Sequence, residues 1–199
     1  MSKSSALVLF VKNARLGYVK TRLASFLGEE KALQIYLAIC ERIRNVCLQF
    51  PGDCYIYFSE FIPEGDDNWS NPFFKKRIQS SSTDLGERMK NAFYDLCPGY
   101  SKVILIGSDI PHLTTDILEE AIYKLNKTDV VFGPALDGGY YLIGMKYFLS
   151  VLFDNMTWSN DGVLLNSVER LEKKNIPYQL LKSLPDIDTA EDWEKYGWF

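Results

Sequence analysis

An apolar run that stops on an acid, Val103-Ile104-Leu105-Ile106-Gly107-Ser108-Asp109-Ile110-Pro111, constrains this chain more than any other segment. About one strand-plus-helix unit later comes Gly133-Pro134-Ala135-Leu136-Asp137-Gly138-Gly139-Tyr140-Tyr141. A hydrophobic strand ending in Gly-Ser-Asp-x-Pro delivers a carboxylate at its C-terminal end, which is where open parallel sheets bind their ligands. Pro111 removes a ladder donor and ends the strand, so Asp109 is expected to point into a crevice.

The rest of the chain alternates strand and helix patterns, as an α/β protein with a mostly parallel sheet requires. Strands are predicted over 6–11, 54–58, 103–106, 129–132, 140–144 and 178–181. Helices are predicted over 29–49, 84–96, from Thr114 or Thr115 to Asn126, over 161–175 and over 189–196. In the first of these, Leu33, Tyr36, Leu37, Cys40, Ile43, Val46 and Cys47 recur at helical spacing. Residues 60–74 mix Pro, Gly, Asp, Asn and Trp and read as a surface loop, although Phe73 and Phe74 read as core. There is no repeat, low-complexity tract or linker, so residues 1–199 are expected to form a single domain.

At 199 residues the chain is long enough to bury about 70% of its unfolded surface. No stretch approaches the roughly 18 apolar residues of a membrane span. Ala6–Val11 is too short for the core of a signal peptide, which points to the cytoplasm. A net charge of -4 argues against nucleic acid as a partner. The cysteines Cys40, Cys47, Cys54 and Cys97 form no CxxC pair, have no histidine at zinc spacing, and are expected to be buried thiols.

Two further segments carry candidate chemistry. Between Lys12 and Arg22, four basic residues (Lys12, Arg15, Lys20, Arg22) follow the first strand. Backbone amides at such a turn make an anion site, and Lys20 and Arg22 can add charge-assisted bonds to a diphosphate. A solvated basic turn is the alternative. Near the C-terminus, Asp186-Ile187-Asp188-Thr189-Ala190-Glu191-Asp192 combines a helix start, with Thr189 as N-cap, and two acids ahead of it. Asp186 and Asp188, together with Asp109, are suited to Mg²⁺ or Mn²⁺, which take oxygen ligands and substrate phosphates.

Lone aromatic and basic residues have two readings each. His112 either fills a loop or contributes to acceptor binding or acid–base work. Trp158 either plugs the core under a lid or stacks on an acceptor. Of Tyr140 and Tyr141, which alternate faces, one is expected in the core and the other beside the pocket.

Six motifs in order resemble a known family: Phe10-Val11-Lys12 with Gly17-Tyr18-Val19-Lys20-Thr21-Arg22-Leu23-Ala24; Asp84-Leu85-Gly86-Glu87-Arg88-Met89; Ile106–Pro111; Gly133–Leu142; Trp158-Ser159; and Asp186–Asp192. Spread from residue 10 to 193, they are similar to those of the bacterial GT-A-type glycosyltransferase-like family, some of whose members are labelled arsenosugar-biosynthesis glycosyltransferases. More distantly they resemble the molybdenum-cofactor and phospholactate guanylyltransferases. The resemblance implies a three-layer α/β/α nucleotide-diphospho-sugar transferase fold (GT-A, Rossmann-like). It implies that Lys12, Lys20 and Arg22 contact nucleotide phosphates and that Asp109 and Asp188 hold the metal. Asp84 and Arg88 would shape the nucleotide pocket. Asp137, Gly138 and Gly139 would lie where sugar or acceptor approaches, with the catalytic Asp137 assisting the acceptor and the paired glycines allowing close backbone approach.

This chain has Ala14 where the family usually has Pro, Ser80-Ser81-Ser82-Thr83 where a Gln-Gly pair usually stands, and one acid at Ser108-Asp109 in place of Asp-x-Asp. The expected activity is metal-assisted glycosyl transfer from a nucleotide sugar to a small acceptor. Nucleotidyl transfer releasing pyrophosphate is the second reading, and a catalytically silent nucleotide-binding module is the third.

Overall fold

The computed structural model describes residues 4–65 and 67–198. Seven strands form one sheet: β1 (Ser5–Val11), β2 (Asp53–Phe58), β3 (Phe74–Ile78), β4 (Lys102–Gly107), β5 (Val130–Pro134), β6 (Tyr140–Met145) and β7 (Tyr178–Leu180). Their order is β3-β2-β1-β4-β6-β5-β7, and every pairing is parallel except those of β6 with β4 and β5. Among the described residues there are six α-helices: α1 (Thr21–Leu27), α2 (Glu29–Cys47), α3 (Leu85–Leu96), α4 (Thr115–Lys127), α5 (Val163–Lys173) and α6 (Ala190–Tyr196).

The period of two along a strand explains the three layers. Leu7, Leu9 and Val11 of β1 share one core with Ile35, Ile39 and Ile43 of α2 and with Ile117 and Ala121 of α4. The intervening Ala6, Val8 and Phe10 share a second core with Met89, Phe93 and Leu96 of α3 and Leu171 of α5. A strand buried on both faces must be apolar, as β1 and β4 are from Ala6 and Val103 onward. All four cysteines are buried and free, as their spacing predicts.

Three features differ from the sequence reading. The segment assigned to a loop over 60–74 buries Trp69 against Phe74 and ends in β3. Phe-Lys-Lys-Arg-Ile lacks strand alternation because it is an edge strand, with Lys75 exposed and Lys76 paired with Asp67; lysines are a common guard against edge pairing. The basic loop ends in a separate short helix, α1, joined to α2 through Gly28 at φ 81°. The direction of β6 is also new. Only five residues, 135–139, link β5 to β6, which permits a hairpin and forbids a parallel crossover. That hairpin places Asp137 at the same sheet edge as Asp109.

Candidate active site at the carboxyl edge of the sheet

The C-terminal ends of β1, β4 and β5 open on one side of the sheet, and the segment 184–188 is strapped across it. Leu184 N–H donates to Pro134 O at 3.0 Å and Ile187 N–H to Asp109 O at 3.2 Å. This strap brings Asp188 next to Asp109, two acids far apart in sequence.

Lys20 lies beneath both. It is the left-handed residue ahead of α1, at φ 49° and ψ 44°, and its side chain is 3% exposed. Its ammonium pairs with Asp109, lies 3.4 Å from Asp188 Oδ1, and donates to the Ile187 carbonyl. Burial alone would lower the pKa of this amine. The two carboxylates outweigh burial and hold it above its ordinary value. Asp109 and Asp188 remain 43% and 45% exposed, so their outer oxygens face the solvent-filled cleft. Arg22, in the first turn of α1, approaches Asp188 Oδ2 at 3.7 Å with an exposed side chain.

Lys12 ends β1. Tyr36 of α2 secures its backbone, its hydroxyl accepting from Lys12 N–H and donating to Lys12 O, both at 2.9 Å. Lys12, Lys20, Arg22, Asp109 and Asp188 together line a polar cradle of 200 Å³.

Two larger compartments adjoin this cradle. One, of 490 Å³, lies between the ends of β1 and β4 and helix α3, and includes Lys12, Tyr18, Gln79, Arg88, Ser108 and Asp109. Arg88 braces its wall, with Nε donating to Ser82 O at 2.6 Å and Nη1 to Gln79 Oε1 at 3.4 Å. Asp84 lies outside it. Its carboxylate caps α3, accepting from Glu87 N–H at 2.8 Å. Gln79, at the end of β3, escaped the sequence analysis because that strand did.

The second compartment, of 280 Å³, is bounded by Asp137, Gly139, Tyr140, Trp158, Asp186 and Asp188, with Asp109 between the two. Asp137 Oδ1 accepts from Gly139 N–H at 2.9 Å, tightening the hairpin. Gly138 has φ +89°, and a Cβ there would stand 2.1 Å from Asp161 O, so only glycine lets the turn touch the entry to α5. Trp158 lies against Gly86 of α3, stacks on Phe153 and meets Tyr140 edge-on. It packs on the core, as one of the sequence readings expects, and also lines the compartment. Tyr140 and Tyr141 both line both compartments, and Tyr141 is the more buried of the two, so the expected division into one core and one pocket residue does not hold. Burial, then the neighbouring Asp137 and Asp188 and the more distant Asp192, push Asp186 up to about 6.

His112 lies apart. Its Nε2 is 3.1 Å from Tyr196 O at the end of α6, and it lines none of these three cavities.

The donor set suits a hard divalent ion. Asp109 and Asp188 offer oxygen ligands only, and among the described residues no group of three or more His, Cys, Asp or Glu is placed to hold a metal. Two carboxylates supply about a third of the octahedral shell of Mg²⁺ or Mn²⁺, which substrate phosphates and water complete.

A doubly covered, mostly parallel sheet with acids and a basic loop at its carboxyl edge is the nucleotide-diphospho-sugar transferase fold. A putative nucleotide-diphospho-sugar transferase from Desulfovibrio desulfuricans G20 superposes with a TM-score of 0.86 at 33% identity, covering 96% of this chain and 85% of that one. The chain belongs to the family described as "Uncharacterized protein conserved in bacteria (DUF2064)", which matches residues 43–160. It is also similar to two curated proteins named 2-phospho-L-lactate guanylyltransferase. The one from Methanocaldococcus sp. (strain FS406-22) is 28% identical over 180 residues, 87% of this chain and 74% of the relative. The one from Methanocaldococcus vulcanius is 22% identical over 196 residues, 94% and 82% respectively. Among the described residues, no helix is long and apolar enough to cross a membrane.

Proposed function

We propose that residues 1–199 form a single cytoplasmic domain that transfers a nucleotidyl group from a nucleoside triphosphate to a small acceptor, releasing pyrophosphate. The observation that carries this reading is Lys20 held between Asp109 and Asp188 where the phosphate cradle meets both compartments. The names of the two guanylyltransferase relatives move the balance from glycosyl transfer, the first expectation from sequence, to nucleotidyl transfer.

The nucleoside occupies the compartment braced by Arg88, and Lys12, Lys20 and Arg22 neutralise the phosphates. Asp109 and Asp188 hold Mg²⁺ or Mn²⁺, which when bound polarises phosphoryl oxygens. The acceptor sits beside Asp137, Gly139 and Trp158, with Gly138 setting the turn. Its attacking oxygen bonds to the α-phosphorus in line as the bond to the β-phosphate bridging oxygen breaks. Positioning and charge neutralisation supply most of the acceleration. Asp84 serves the site through α3, and His112, held at the end of α6, has no part in it.

Glycosyl transfer remains the second reading, supported by the Trp158–Tyr140 wall, whose faces suit a sugar, with Asp137 assisting the acceptor. Incubation of the protein with each nucleoside triphosphate, Mg²⁺ and an acceptor panel distinguishes the two. Pyrophosphate release that is lost in Asp109→Asn supports nucleotidyl transfer. Release of nucleoside diphosphate from a nucleotide sugar, with no pyrophosphate from triphosphates, overturns it.

A further inference from the structure

The compartment beside Asp137 differs in charge from the cradle it adjoins. Its walls carry four carboxylates, Asp109, Asp137, Asp186 and Asp188, and among the described residues no Lys, Arg or His lines it. Lys20 offsets Asp109 and Asp188 from behind, and with a side chain 3% exposed it presents little charge to the compartment. Asp137 and Asp186 have no cationic partner there. A divalent ion on Asp109 and Asp188 would face the nucleotide phosphates, which carry negative charge of their own. The rest of the wall combines Tyr140 and Trp158, which meet at 6.4 Å and 87°, with aliphatic side chains such as Met89 and Val163 and with Ser159 and Asn160.

We propose that this compartment takes an uncharged, hydroxyl-bearing acceptor of the polyol or sugar class and rejects a phosphorylated acid. The inference rests on the nucleotidyl-transfer reading and departs from the substrate named for the guanylyltransferase relatives. Carboxylates accept hydrogen bonds from hydroxyls and repel a phosphate dianion, and an aromatic face packs on the C–H face of a sugar.

The chemistry of attack agrees. A phosphate acceptor attacks as an oxyanion and needs no base, whereas a hydroxyl must lose a proton. In the step assigned here, the hydroxyl oxygen bonds to the α-phosphorus and the bond to pyrophosphate breaks with its electron pair on pyrophosphate. The hydroxyl proton passes to the carboxylate of Asp137, which lines the same compartment.

The test reads Trp158 fluorescence, with Trp158→Phe as the blank for the other tryptophans. The protein with Mg²⁺ is titrated with D-glucose, D-galactose, myo-inositol, glycerol and 2-phospho-L-lactate, with and without each nucleoside triphosphate. A response to one or more uncharged probes is expected, with 2-phospho-L-lactate at least tenfold weaker. Replacing both Asp137 and Asp186 by Asn should narrow that gap by tenfold or more. Tighter binding of 2-phospho-L-lactate than of every uncharged probe overturns the proposal, as does silence from the whole uncharged panel. Nucleotide binding is followed separately by thermal shift. Its absence overturns the nucleotidyl-transfer reading, while probe binding without nucleotide still reports the compartment's preference.

Discussion

Lys20 and Asp109 form an ion pair that ties the left-handed residue before α1 to the end of β4, and Asp188 shares the same ammonium. Neither acid is buried, yet the amine between them is. Asp109→Asn therefore leaves a buried cation with one carboxylate and should cost about 2 kcal/mol, reduced from the fully buried case because Asp109 faces solvent. Lys20→Met removes the charge as well and should cost less. Urea denaturation of both variants checks the order.

The pH dependence of that pair follows from the direction of its shift. The pKa of Lys20 lies above its ordinary 10.5, so its stabilisation is complete below 10.5 and fades only as pH rises through the raised value. The stability difference between wild type and Lys20→Met should stay flat from roughly pH 5 to 9. A slope near neutrality would contradict the ion-pair account.

Asp186 behaves oppositely. With its pKa raised to about 6, the folded state holds a proton there more tightly than the unfolded chain, so stability falls as pH rises from about 4 to 6. Asp186→Asn should stabilise the protein by about 1 kcal/mol at pH 7, after discounting for its partial exposure, and by almost nothing at pH 4. Thermal melts at both pH values decide this.

Gly86 leaves room for Trp158. A Cβ on Gly86 would stand 2.2 Å from Trp158 Nε1, so Gly86→Ala must push the indole away from α3. We expect a loss of about 1–3 kcal/mol from overpacking and a larger effect on acceptor than on nucleotide affinity. Parallel binding titrations separate the two.

Metal affinity should depend on nucleotide. Two carboxylates already engaged by an ammonium form a poor site alone. Mn²⁺ should bind weakly to the free protein and at least tenfold more tightly once a nucleoside triphosphate contributes its phosphates. Electron paramagnetic resonance of free Mn²⁺ reads this directly. Chelation should weaken nucleotide binding in turn, by the same factor.

Much of the fold was legible because strand and helix periodicity are local properties. The apolar runs of β1 and β4, the helical spacing in α2 and the capping of α6 by Thr189 with Asp192 all appear in the letters. β3 was not legible, since a charged edge strand acquires its identity from its pairing with β2. The acids at the candidate site could be picked out individually, but their partners could not. Asp84 caps α3, a role its place at a helix start allows, and lines no compartment, while His112 turned to the end of α6.

Sequence alone determined the α/β alternation, the acid at the end of β4 and the cation-rich loop after β1. Tertiary structure alone decided that β6 runs backwards, that Lys20 sits between Asp109 and Asp188, and that the cavity beside Asp137 holds acids without a base-bearing cation. Periodicity is set by neighbours along the chain, whereas charge pairing and burial depend on residues that only the folded sheet brings within a few ångströms.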